Sequence, residues 1–180
     1  MSISSTSTDA STWDAEAAAG LAIGLGTSLR ARGLRLVTAE SCTAGAVAAA
    51  CTSVDGASAW FWGGFVTYTL DAKQRLLGVP RQLLDRHGAV SEPVARAMAE
   101  GALAASGVEV AVAVTGIAGP GGGEVLQPVG TVWFAWALRA AGTETAVVRL
   151  DGDRHQVRAA ACLRALAGVG EMLTSSQGDG

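Results

Sequence analysis

Between Glu109 and Thr115 every residue is Val or Ala. Such a run has no polar side to turn toward water. It suits a strand buried on both faces, which needs a covering layer on each side. The rest of the chain supplies those layers. A helix is expected over residues 14–32, stopped by Gly33, with Leu21, Leu25 and Leu29 on one face. A strand over 34–38 leads into a short Ala/Val helix over 42–52. A turn at 55–58 precedes a second strand over 60–69. Helices follow over 70–77 and 81–87, separated by Gly78-Val79-Pro80. Ser91 caps the next helix, with Pro93 in its first turn and Gly107 at its end. After the strand at 109–115 and a Gly/Pro loop to residue 128, strands over 129–138 and 143–150 form an antiparallel pair. A last helix covers 154–173. Alternating helix and strand with one closing hairpin gives an α/β fold, a three-layer α/β/α sandwich around a mixed, mostly parallel sheet.

The 180 residues fit one domain over 14–173, with flexible tails at 1–13 and 174–180. Charged residues are 16% of the chain against 49% hydrophobic, which is the balance of a compact globule. The net charge of −3 and the lack of a basic block speak against nucleic acid as a partner. No stretch of about 20 uncharged apolar residues has the flanks of a membrane span. The start of the chain lacks the basic and apolar regions of a signal peptide. Three cysteines, Cys42, Cys51 and Cys162, are odd in number and widely spaced, which suggests reduced thiols in the cytoplasm. With His87 and His155 they form no metal-ligand spacing, so no metal is expected. Trp60, Phe61 and Trp62 stand in a row. Strand alternation puts Phe61 opposite the two tryptophans, and the row reads as an oligomer interface in preference to two-sided packing.

Lys73 is the only lysine beside twelve arginines, and Tyr68 is the only tyrosine. An amine can lose its proton where a guanidinium cannot, so a lone lysine is either a chance survivor or a base. Ser41 follows the first strand, at or beside a helix N-cap. It reads as a capping serine or as a nucleophile whose oxyanion meets free N–H groups, those of Cys42 and Thr43. Cys42 at the same helix start is a rival nucleophile or a small buried residue. The glycines after Thr115 and Gly116 form a connector or a phosphate cradle, without the Gly-Lys-Ser/Thr ending of an ATP-binding loop. Arg154 is an exposed helix arginine or a phosphate ligand; Arg149 and Arg158 decorate the surface.

Ala39-Glu40-Ser41-Cys42-Thr43, Gly64-Phe65-Val66-Thr67-Tyr68 with Ala72-Lys73, Gly78-Val79-Pro80, His87-Gly88-Ala89-Val90-Ser91 and Thr115 through Gly122 together resemble the CinA C-terminal domain family, over about residues 14–172. That family includes stand-alone nicotinamide mononucleotide deamidases. The resemblance implies the same fold and a hydrolase acting on a linear carboxamide. It would turn nicotinamide mononucleotide into nicotinate mononucleotide and ammonia, in pyridine nucleotide recycling and without a cofactor. It carries the nucleophile onto Ser41, with Lys73 as base and Tyr68 orienting the amine or relaying its proton. Glu40, Cys42, Thr43, Gly45, Thr115, Gly116 and Arg154 become expected substrate contacts. A homodimer or higher homo-oligomer is expected, with no nucleic acid and no membrane. The family usually reads Ser-Cys-Thr-Gly-Gly, where this chain has Ala44 for the first glycine. That difference keeps a second reading open: a catalytically silent nucleotide-binding protein, or a competence- or recombination-associated interaction protein of the same fold.

Overall fold

The computed structural model describes residues 14–176. The expected tail at 1–13 and residues 177–180 lie outside the described residues. Helix α1 (Ala15–Ala31) is capped by the Asp14 carboxylate, which accepts from the Ala17 N–H, and ends before Gly33 at φ +65°. Then come β1 (Leu36–Glu40), α2 (Ala46–Thr52), a single 3-10 turn at Ala57–Ala59, β2 (Phe61–Val66), α3 (Leu70–Leu77), α4 (Arg81–His87), α5 (Glu92–Ser106), β3 (Val110–Gly116), β4 (Thr131–Leu138), β5 (Gly142–Arg149) and α6 (Arg154–Ser175).

The five strands form one open sheet in the order β2-β1-β3-β4-β5. The β1–β2 and β1–β3 pairs are parallel, and the β3–β4 and β4–β5 pairs antiparallel. The mixed three-layer fold is therefore as the sequence indicates, with the pairings evenly divided. The Val/Ala run explains the layering. Val110, Val112 and Val114 face the core under α1, α2 and α6, while Ala111 and Ala113 face the core under α5. Large side chains on one face and methyls on the other let α5 lie close to the sheet. Among the described residues no helix is long and apolar enough to cross a membrane.

Three expectations need correction. The second helix starts at Ala46, not at residue 42, because residues 41–45 form a turn. The last helix runs on to Ser175, so residues 174 and 175 are helical instead of frayed. The aromatic row is also divided differently. Trp60 precedes the strand and is 1% exposed, Phe61 is half-buried beside it against the same core, and Trp62 is exposed, stacked on Phe65. Strand alternation does not govern Trp60, which belongs to the 3-10 turn's end.

Helix α3 is set in place by α5. Gly101 of α5 lies so near the Leu77 carbonyl that a methyl there would overlap the oxygen. A Gly101→Ala substitution therefore has to push α3 away. The expected result is a loss of about 2 kcal/mol of stability, measured as a lower urea midpoint at unchanged m.

Candidate active site

Strand β1 ends at Glu40, and Ser41 is still tied to the sheet by its N–H, which donates to the Val114 carbonyl at 2.9 Å. Ser41 is thus not a helix cap. Gly45, at φ +92°, occupies that position and has no side chain to cap with. Glu40 does the capping from the preceding strand. Its Oε2 accepts from the N–H groups of Gly45 at 2.9 Å and Val47 at 3.1 Å. Its Oε1 accepts from the Ala48 N–H at 2.8 Å and the Thr38 hydroxyl at 3.2 Å. The carboxylate is fully buried and faces the α2 N-terminus, where a negative charge is favoured. It lies outside the cavity, so the expected substrate contact at Glu40 is replaced by a structural one.

This capping leaves a specific remainder. Ala44 N–H donates to the Ser41 carbonyl and Ala46 N–H to the Thr43 carbonyl. Every N–H from Ser41 to Ala49 donates to an oxygen among the described residues except those of Cys42 and Thr43. Two adjacent uncommitted donors beside a serine have the makings of an oxyanion site.

Lys73 sits in the first turn of α3, whose N-cap Thr69 accepts from the Ala72 N–H at 3.1 Å. Its side chain is 1% exposed. Nζ donates to Ser41 Oγ at 2.8 Å and to the Thr67 carbonyl at 2.6 Å. Thr67 in turn donates its N–H to the Glu40 carbonyl at 2.7 Å, so the strand end bearing Ser41 and the segment orienting Lys73 are joined directly. Burial lowers the Lys73 pKa to about 8, against a smaller opposing effect from the Cys42 thiol. Burial also pushes the Cys42 thiol up to about 11, so at neutral pH it is a protonated thiol and a poor nucleophile.

Ser41, Cys42, Lys73, Tyr68, Thr115, Gly116 and Arg154 all line one cavity of about 270 Å³, together with Ala89, Val90 and Ala118. Thr43 and Gly45 do not line it. The Thr115 hydroxyl donates to the Ala89 carbonyl at 2.8 Å, and Gln127 holds the Val90 carbonyl at the same distance. Thr115 thereby fixes the opposite wall. The Tyr68 hydroxyl does not meet the amine, contrary to the orienting role expected for it. It accepts from Arg154 Nη2 at 3.2 Å, while Arg154 Nη1 donates to the Gly119 carbonyl at 2.8 Å. The lysine is oriented instead by the Thr67 carbonyl, a backbone group that leaves no trace in side-chain identity. Ala89 and Val90 were also missed, although their segment is among the motifs that carry the family resemblance. Arg158, expected on the surface, donates to the Thr43 carbonyl at 2.9 Å. Among the described residues no three His, Cys, Asp or Glu side chains gather as a metal site.

The geometry predicts that Glu40→Gln is disruptive despite its near-identical shape. A glutamine amide would set its own donors against backbone N–H groups. The variant should lose about 2 kcal/mol or more, read by thermal and urea unfolding.

Residues 19–173 match the CinA C-terminal domain. The chain is 50% identical over 142 residues to the nicotinamide-nucleotide amidohydrolase PncC of Escherichia coli K12, covering 79% of this chain and 86% of that protein. It is 56% identical over 136 residues to a CinA-like protein of Akkermansia muciniphila, covering 76% of this chain but 33% of the relative, so it spans about a third of that longer protein. A crystal structure of the competence damage-inducible protein A from Klebsiella pneumoniae superposes with a TM-score of 0.84 at 43% identity, over 87% of this chain and 97% of that one. The matched residues take in the serine turn, the lysine helix and the cavity walls: this chain belongs to the CinA C-terminal domain family.

Proposed function

We propose that this protein is a nicotinamide-nucleotide amidase that hydrolyses the carboxamide of nicotinamide mononucleotide to nicotinate mononucleotide and ammonia. The observation that carries the reading is the buried Lys73 amine at 2.8 Å from Ser41 Oγ, inside a cavity. The 50% identity to a nicotinamide-nucleotide amidohydrolase supports the substrate.

In the neutral amine, one N–H keeps the Thr67 carbonyl and the lone pair accepts the Ser41 proton. Ser41 Oγ then attacks the carboxamide carbon, and the oxyanion forms beside the Cys42 and Thr43 N–H groups. The Lys73 ammonium returns its proton to the departing nitrogen, so ammonia leaves and an ester to Ser41 remains. Water, deprotonated by the same amine, cleaves that ester and regenerates the serine. This is the Ser–Lys form of triad logic. Arg154 spends two of its five N–H donors on Gly119 and Tyr68, and the rest can bind the substrate phosphate at the cavity mouth. The chemistry calls for no cofactor. Three free buried thiols support a cytoplasmic location. Exposed Trp62, Val66 and Leu70 along the β2 edge and the start of α3 support self-association there.

The test is ammonia release from nicotinamide mononucleotide by wild type, Lys73→Met and Lys73→Arg. Both variants should lose about 10²-fold or more in kcat while still binding product; full turnover in either would remove the base from the mechanism. Ser41→Ala should be inactive and Cys42→Ala active, and the opposite pattern would make the cysteine the nucleophile.

The pH dependence follows from the lowered amine. Below about 8 the amine is protonated and cannot act as base, so kcat should rise about tenfold per pH unit up to that point and then level. Stability moves the same way. From about 8 to 10.5 the unfolded chain holds the Lys73 proton more firmly than the folded one, so folding gains with pH across that window. The gain should disappear in Lys73→Met.

A further inference from the structure

We propose that Arg158 is a positioning residue for the oxyanion turn. Its guanidinium holds the Thr43 carbonyl so that the Cys42 and Thr43 N–H groups stay directed at the tetrahedral oxyanion. The inference rests on the amidase reading above.

Arg158 lies one helical turn beyond Arg154 on α6, and its Nη2 reaches across 115 positions of sequence to the Thr43 carbonyl at 2.9 Å. That oxygen also accepts from the Ala46 N–H at 3.2 Å, so both of its lone pairs are engaged. Among the described residues no carboxylate pairs with Arg158. The two buried side-chain polar atoms left without a partner among the described residues are Arg158 Nε and Thr43 Oγ1. Both sit on the two residues that this contact joins. Leaving buried polar atoms unpaired is unfavourable, so a surface role does not account for an arginine drawn in here. A fixed turn does. Glu40 holds the α2 side of the turn at Gly45, the Ser41–Ala44 bond closes it, and Arg158 together with the Ala46 N–H fixes the Thr43 carbonyl between them. The Thr43 carbonyl and the Ala44 N–H share one peptide plane, so rotation of that peptide would break the Ala44–Ser41 bond that closes the turn and loosen the Cys42–Thr43 segment that carries both donors. Arg158 does not line the cavity, so it acts through the turn and not on the substrate.

The experiment is steady-state ammonia release from nicotinamide mononucleotide by the full chain, wild type beside Arg158→Met and Arg158→Lys. Binding of nicotinate mononucleotide and the pH profile are measured on the same samples. Arg158→Met should lower kcat tenfold or more, with KM and product Kd within twofold and the rise toward pH 8 unmoved, since the Lys73 contacts are untouched. Arg158→Lys, which keeps the charge without the planar fork, should lower kcat by a smaller factor at unchanged KM. A kcat within twofold of wild type in Arg158→Met overturns the inference. Should that variant not fold, the lysine variant decides: a raised KM with kcat intact would make Arg158 a substrate contact and overturn the inference, whereas lower kcat at constant KM supports it. Absence of turnover in the wild type would instead overturn the amidase reading itself.

Discussion

The structure of the site depends on the Glu40 carboxylate. It is buried without a cationic partner, and is held by three backbone N–H groups and one hydroxyl. Charge-assisted hydrogen bonds of this kind are worth about 1.5–3 kcal/mol each, and the α2 dipole adds to them. A salt bridge would have brought a second charge into the turn. Dipoles alone satisfy the carboxylate, so Lys73 is not drawn into a salt bridge and its amine donates to Ser41. Because Glu40 caps α2 from behind, Ser41 is released from capping and its hydroxyl enters the cavity.

Lys73 illustrates the opposing demand. The base role proposed for Lys73 needs an amine that is neutral for part of the time at working pH, and burial supplies that by disfavouring the ammonium. The same burial opposes folding whenever the amine is charged. The Thr67 carbonyl offsets part of this by accepting from the ammonium, and the close α3–α5 contact at Gly101 keeps the amine from swinging out to water. Orientation and pKa therefore come from one act of packing, and neither can be altered without the other.

Much of the fold was legible where local chemistry decides it. The limits of α3, α4 and α5 follow from residues that stop or start a helix by themselves: Thr69 and Gly78, Pro80 and Gly88, Pro93 and Gly107; the expected cap Ser91 stands at the N-cap position of α5, but its hydroxyl donates to the Gly88 carbonyl instead. The Val/Ala strand likewise announces two covered faces. The failures share a cause. The capping alternative for Ser41 rested on a serine standing before a small-residue run, while the group that does the capping, Glu40, lies on the preceding strand, outside the capping-box pattern. Trp60 was given to a strand it only adjoins. The Thr67 carbonyl and the Arg158 contact are set by tertiary approach, and no spacing rule reaches a backbone oxygen or a partner 115 residues away. Of the residues singled out from the sequence, Ser41, Cys42, Tyr68, Lys73, Thr115, Gly116 and Arg154 share one cavity, whereas Glu40, Thr43 and Gly45 do not line it.

Ala44 is the point where the chain leaves the family pattern, and its geometry bears on the silent-pocket reading. It has φ +52°, the one non-glycine residue with positive φ among those described. Its side chain is exposed and is not part of the cavity wall. The extra methyl therefore meets solvent and not substrate. What it introduces is a backbone penalty of about 1–2 kcal/mol for an L-residue in the left-handed region, partly offset because alanine is less free than glycine in the unfolded chain. The penalty falls on stability, in a turn already fixed by Glu40 on one side and Arg158 on the other. A substitution that strains the support while leaving the cavity clear gives no steric reason for silence, and it makes the two anchors more important to this chain than a glycine would.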